Sequence, residues 1–232
     1  MHYQKALPVH EPRWHASLAV LAAMALYITL PPRLTIGPTW VLPAVTLLVL
    51  VPLSIFVPHR HRETARTRFW SILLIAIVNF FNLTSVLLLV ASLFHPEKTV
   101  SHPAGVLLRI GGQIWATNIL VFALWFWELD GDGPDARAHA TAATEFVNAD
   151  FLFPQMQMAL ASGGGDEPKC IDPRWKPQFL DYLYLAFTNS TAFSPTDTMP
   201  LSRWAKVLMT FEALISLITI AIVVARSINA IV

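Results

Sequence analysis

The sequence predicts an all-α, multi-pass membrane protein: about five transmembrane helices, plus one re-entrant half-helix and loop ahead of the last span. Three observations predict it. Of 232 residues, 55% are hydrophobic and 13% charged, where a soluble domain carries about 25% charged residues. Apolar stretches near the length needed to cross a bilayer recur along the chain. Finally, "PQFLDYLYLAFTNS" (Pro177–Ser190) is apolar but shorter than the ~20 residues a crossing needs, and it runs into the hydroxyl-rich "TAFSPTDTMP" (Thr191–Pro200).

The first span is Trp14–Leu30, closed by Pro31-Pro32. The second is Trp40–Val57, with Pro43 and Pro52 placed to bend it. The third, Phe69–Phe94, is long enough to tilt. The fourth, Gly105–Trp127, holds Arg109, Gly111-Gly112 and Gln113, and the last runs from Trp204 to Ile228. Tryptophans 14, 40, 70, 125, 127 and 204 fall near span ends, as interfacial anchors do. The first apolar stretch follows a polar N-terminal segment without a small-residue cleavage site, so it reads as a retained span. These boundaries divide the chain into a four-span region (1–127), a hydrophilic acidic loop (128–176) and a C-terminal region (177–232).

Charge sets the orientation. The loop Pro58–Arg68 carries Arg60, Arg62, Arg66 and Arg68 against Glu63, and short basic loops stay cytoplasmic. The N-terminus, with Lys5 and Arg13, is then cytoplasmic too, as is the 128–176 loop, whereas "HPEKTVSHP" (His95–Pro103) lies outside. A formal net charge of +1 gives no reason to expect a nucleic-acid partner; the bilayer is the expected one. A single cysteine, Cys170, excludes an intrachain disulfide and a multi-cysteine metal site. Asp130, Asp132 and Asp135 lack the remaining ligands of an EF-hand, so "ELDGDGPDARAH" reads as a flexible, solvated turn at a helix end. No metal or cofactor is expected. His59 and His61 sit in the basic loop, there is no H-E-x-x-H or G-x-S-x-G, and an enzyme is not expected.

From Pro177, Phe179, Leu183 and Ala186/Phe187 recur on one face of a short helix. Irregular backbone at membrane depth is tolerated only where protein buries it or a wet cavity borders it. Ser190, Thr191, Ser194, Thr196 and Thr198 are placed either to satisfy such backbone or to line such a cavity. The alternative is an amphipathic surface helix followed by a loop. Within the last span, Glu212 is an intramembrane carboxylate and so a functional candidate, with Arg109 or Lys206 as its partner; it either braces the segment or holds an ion or proton. Asn79 and Asn82 fit interhelical hydrogen bonding. Asp197 is either a charge at a pore mouth or the cap of the last helix.

From Asp181 to Arg226 the chain resembles, without a gap, the pore region of bacterial potassium channels. Those pores typically read D-A-L-Y-F-S-F-x-T-x-T-T-V-G-Y-G-D, then x-x-P and an inner helix with L-E-A-L-I-G and A-R. The matching positions are Asp181, Leu183, Tyr184 and Phe187, then Thr191, Asp197 and Pro200, then Ala205-Lys206, Glu212-Ala213-Leu214-Ile215 and Ala225-Arg226. The resemblance implies a pore subunit for monovalent ions, a homotetramer, in a bacterial inner membrane. Thr188, Asn189, Ser190, Thr191, Ala192, Phe193, Ser194, Pro195, Thr196 and Asp197 would surround the axis.

The departures fall on the filter. Where the family has T-V-G-Y-G, this chain has Ala192-Phe193-Ser194-Pro195-Thr196, and Ser216 replaces the inner-helix hinge glycine. A potassium filter aims backbone carbonyls at the axis through conformations that favour glycine, and Pro195 has a fixed φ and no N–H. The expected pore is therefore a cation pore without strict potassium selectivity. The arginines place its loop on the cytoplasmic side, which an inverted pore, as in glutamate-receptor channels, reconciles with the resemblance. The alternative is an extra crossing near "TEFVNADFLFPQMQMALA" (Thr144–Ala161), which Glu145, Asn148, Asp150 and Pro154 disfavour. Two other readings stay open: a non-conducting scaffold or sensor that keeps the pore fold, and a proton-coupled transporter built on Glu212 and Arg109.

Overall fold

The computed structural model describes residues 13–56, 65–92, 104–140, 148–161, 175–191 and 197–229. Its elements are α1 (Trp14–Ile28), α2 (Val41–Phe56), α3 (Ala65–Ala91), α4 (Ala104–Leu129), α5 (Pro134–His139), β1 (Phe151–Leu152), α6 (Pro154–Ala161), α7 (Phe179–Thr191), β2 (Met199–Pro200) and α8 (Arg203–Asn229). The protein is mostly helical, and three helices are long and apolar enough to cross a membrane: Arg66–Ala91, Ala104–Asp132 and Arg203–Ile228. These match the expected third, fourth and fifth spans closely.

The first two expected spans are apolar helices but shorter. At 15 and 16 residues, α1 and α2 extend roughly 22–24 Å, less than the ~30 Å hydrocarbon core. The stop in α1 has a local cause. Thr29 donates its hydroxyl to the carbonyls of Ala25 (3.3 Å) and Leu26 (2.8 Å), and Pro31 and Pro32 follow, the latter opening a 3₁₀ turn over Pro32–Leu34.

Helix α4 is the axis of the bundle, packed against α1, α3, α7 and α8. One face is buried in its first half, with Leu107, Ile110 and Ile114, and from Thr117 to Glu128 side chains around its whole circumference are buried or half-buried. Contacts at the helix ends fix their directions. Arg13, just before α1, lies 5.6 Å from the Trp127 ring near the end of α4. At the other end, Gln113 donates to the Thr29 hydroxyl at 2.7 Å. Arg68 in the first turn of α3 pairs with Asp132 beyond α4 at 3.5 Å. Arg226 in the last turn of α8 donates to Ser92 just past α3, at 3.0 Å to Oγ and 2.6 Å to the carbonyl. Helices α1, α3 and α8 therefore run parallel to one another and antiparallel to α4. The start of α1, the start of α3, the end of α4 and the start of α8 gather at one end, the arrangement the arginine distribution requires.

Small residues let α4 and α8 approach, as they do between membrane helices. A Cβ at Gly111 would lie 2.3 Å from Val223 Cγ2. On α8 the buried face carries Ala205, Glu212, Ile215, Ser216, Thr219, Val223 and Ser227, whereas Phe211, Leu214 and Leu217 point outward. A buried face that carries polar side chains opposite an apolar exposed one is the pattern expected of a helix facing lipid.

Two sequence expectations need correction here. Trp14, Trp40, Trp70 and Trp204 are exposed as anchors should be, but Trp127 is 3% exposed and packs edge-on against Phe179, ring centroids 6.0 Å apart. The turn after α4 is solvated only in part: Asp132, Ala136 and His139 are exposed, whereas Glu128 and Asp130 are 0% and 2% exposed. Residues distant in sequence, described below, cover Asp130. Gly133, at φ +100°, lets the chain reverse there in a conformation that side chains with a Cβ rarely adopt.

Candidate functional site

Helix α7 is built to start sharply. Pro177 precedes it, and the Gln178 backbone N–H donates to Asp181 Oδ2 at 2.8 Å, one half of a capping box. Partial burial raises the Asp181 carboxyl above the ordinary aspartate range, and the Gln178 hydrogen bond offsets part of that rise. The buried face is Phe179, Tyr182, Leu185, Ala186 and Ser190. The expected face holds at Phe179 and Ala186 and is corrected elsewhere: Leu183 is half-buried and Phe187 is 47% exposed, as is Tyr184 of the potassium-channel match at 56%. Ser190 and Thr191 both donate to the Phe187 carbonyl at 2.9 Å, so these two hydroxyls serve the helix's own backbone. Thr188 does the same toward Tyr184 at 2.9 Å.

The first turn of α7 is anchored at the end of α4. Tyr182 donates its hydroxyl to Asp130 Oδ2 at 2.5 Å. Asp130 Oδ1 accepts from the backbone N–H groups of Asp150 at 2.7 Å and Phe151 at 3.3 Å. Arg137 donates to the Trp127 and Asp130 carbonyls at 2.8 and 2.5 Å and lies 5.0 Å from the Tyr182 ring. Lys176 in turn donates to the carbonyls of Arg137, Ala138 and Ala140 at the end of α5. One buried carboxylate thus joins α4, the β1 strand and α7.

The last turn of α7 sits elsewhere, beside the middle of α4 and α8. Phe187 meets Trp115 edge-on at 6.0 Å. Asn189 Nδ2 donates to Glu212 Oε2 and to the Met209 carbonyl, both at 2.8 Å. With 13 residues, α7 extends about 20 Å, two thirds of a ~30 Å hydrocarbon core. After it the chain returns to the end it came from. Met199 and Pro200 pair antiparallel with Leu152 and Phe151, and the Leu201 N–H donates to the Asp150 carbonyl at 2.8 Å.

Around the end of α7 lies a polar centre. Asn118 Nδ2, on α4, donates to Ser216 Oγ at 3.0 Å and to the Glu212 carbonyl at 3.3 Å. Asn82 Nδ2, on α3, donates to Asn118 Oδ1 at 3.3 Å. Asn118, Glu212 and Ser216 are all 0% exposed. Glu212 and Ser216 share a face because they stand one turn apart on α8. Glu212 Oε1 is buried without a hydrogen-bond partner.

The expected partners of Glu212 are not these. Arg109 and Lys206 are both exposed, Arg109 on the α4 face turned away from the centre. The carboxyl is met by the Asn189 carboxamide instead, and the Glu212 backbone carbonyl by that of Asn118. Of the two asparagines, Asn82 makes the expected interhelical bond, whereas the Asn79 carboxamide oxygen has no hydrogen-bond partner. Asp197 is exposed and does not cap α8; Ser202 Oγ does, accepting from the Ala205 N–H at 3.1 Å. Of the expected filter residues, Thr188, Asn189, Ser190, Thr191 and Asp197 are described, and Ala192, Phe193, Ser194, Pro195 and Thr196 lie outside the described residues. Sequence reasoning missed Asn118, although an amide in the middle of "WATNILVFALW" carries the same signal that singled out Asn82.

No family model, no curated protein and no solved structure matches this chain.

Proposed function

We propose that this protein is a cation-pore subunit whose pore element is α7, the 192–196 segment and α8. The observation that carries the reading is the path of α7. It starts against Asp130 at one end of the bundle, stops against Glu212 and Trp115 at mid-height, and the chain is back beside Asp150 by Leu201. A helix that penetrates part of the bilayer and returns to its own side is re-entrant. Its backbone is kept inside protein, as membrane depth demands, by α4 on one side and α8 on another.

Such a helix directs the negative end of its dipole toward the bilayer centre, which favours cations there. Hydroxyl and amide groups in place of a glycine filter give weak selection among monovalent cations. The basic end of the bundle faces the cytoplasm in a bacterial inner membrane, which makes the pore loop cytoplasmic. A homotetramer follows from the resemblance of Asp181–Arg226 to potassium-channel pores, four copies of α7 converging on one axis.

The test is ion flux through purified protein in liposomes, wild type beside Phe193→Ala, with reversal potentials under potassium, sodium and chloride gradients. Cation-selective flux altered by Phe193→Ala supports the pore. Inserted, folded protein that passes no ion in either form favours the non-conducting scaffold.

A further inference from the structure

We infer that Glu212 is a proton-binding site: its carboxyl carries a proton while the end of α7 is docked against α8, and loss of that proton to solvent water releases the docked end. The inference needs only that the bundle lies in a membrane, and not that the protein conducts ions.

The argument is one of charge. Glu212 is 0% exposed and lies nine residues into the 27-residue α8. A carboxylate taken out of water without a counter-charge carries a solvation cost so large that the group neutralises instead. The neutralising charge does not come from the packed elements. On α3 the described charged residues are Arg66 and Arg68, in its first turn, far from Asn82. On α4 they are Arg109, which is exposed, and Glu128, at the far end from Arg109. On α7 the titratable groups are Asp181 and Tyr182, held at the Asp130 end, and Tyr184, which is exposed. On α8 itself, Arg203 and Lys206 are exposed and Arg226 is spent on Ser92. None faces Glu212.

The surroundings suit a proton better than a metal ion. The carboxamides of Asn118 and Asn189 turn N–H groups toward Glu212 and its backbone carbonyl, and N–H groups do not ligate cations. Alkali and alkaline-earth cations take several oxygen ligands. A proton needs one oxygen, and Glu212 Oε1 is the oxygen left without a partner while Oε2 accepts from Asn189.

The coupling to α7 follows from the same contacts. Asn189 is the described side chain of α7 that reaches Glu212, and it stands two residues before the helix ends at Thr191. An ionised Glu212 draws water, and a helix end followed by a connecting segment yields more readily than helices packed along their full length.

Infrared spectroscopy of the membrane-reconstituted protein tests this directly. In wild-type minus Glu212→Gln difference spectra at neutral pH, the inference predicts the carbonyl stretch of a protonated carboxyl group, replaced by carboxylate bands as pH rises. Carboxylate bands at neutral pH overturn it. Should Glu212→Gln not fold, Asn189→Ala removes the donor at Oε2 and must shift the same protonated-carboxyl band; an unchanged band overturns the assignment. The coupling is read with Ser190→Cys in a Cys170→Ser background. Its thiol must react with a water-soluble reagent at least several-fold faster at the higher pH than the growth of its own thiolate fraction accounts for, and adding Glu212→Gln must abolish that excess. A rate that rises only as the thiolate fraction does overturns the release.

Discussion

Asn189 and Glu212 are 23 positions apart in the chain and 2.8 Å apart in the fold. That bond ties the last turn of a helix too short to cross a membrane to the middle of one long enough to do so. Asn189→Ala removes it. Interhelical hydrogen bonds in membranes contribute about 0.6 kcal/mol on average and up to about 1.7, and this one belongs at the upper end, because the substitution leaves both carboxyl oxygens without a hydrogen-bond partner. Thermal unfolding in detergent should show a loss of about 1–2 kcal/mol; a change indistinguishable from zero would mean that the contact does not hold α7 in place.

The close approach of α4 and α8 rests on Gly111. A Cβ there meets Val223 at 2.3 Å, and a β-branched valine in a helix has little rotamer freedom to give way. Gly111→Ala should destabilise by about 1–3 kcal/mol, the usual cost of overpacking. Val223→Ala in the same chain should recover most of that loss, and additive losses in the double variant would show that the two helices do not meet there.

Tyr182→Phe deletes the hydroxyl that Asp130 accepts while leaving the ring under Arg137. A buried carboxylate that loses one partner costs about 1–3 kcal/mol. Since Asp130 also accepts from the Asp150 and Phe151 backbone N–H groups, those two amides should exchange hydrogen faster in the variant, and unchanged exchange would detach α7 from that strand.

Asp181 gives a pH dependence whose sign can be worked out. Burial raises its carboxyl above the unfolded value more than the Gln178 hydrogen bond lowers it. A raised acid contributes stability that is present below the unfolded pKa and lost as pH rises through the folded one. Asp181→Asn keeps a side-chain oxygen for the cap and removes the charge. It should therefore be the more stable form at neutral pH, with the difference closing as pH falls into the acid range; a gap that widens on acidification would reverse the assignment.

Much of the bundle is legible in the sequence because bilayer-length apolar runs have few alternatives. Helices α3, α4 and α8 lie within a few residues of where hydropathy places them, and the arginines predict which helix ends share a side. The face that α7 buries is less legible. In a membrane protein both the packed and the lipid-facing side of a helix are apolar, so Phe187 and Tyr182 look alike until α4 is in place. Glu212 stands out as a carboxylate in an apolar run, but the search for its partner follows opposite charge, and the fold supplies Asn189 instead. Asp130 misleads for the converse reason. Three aspartates among glycines look solvated, and what buries one of them, Tyr182 and the Asp150–Phe151 backbone, comes from residues 20 to 52 positions away.

The account turns on α7 entering and leaving the membrane on one side. Single cysteines at Gln178 and Leu201, both exposed in the fold, bracket it in a Cys170→Ser background. With a membrane-impermeant maleimide applied to right-side-out and inside-out vesicles, the prediction is that both cysteines label from the cytoplasmic side alone. Labelling of the two from opposite sides would make the segment a crossing rather than a re-entrant helix, and would remove the basis for the pore.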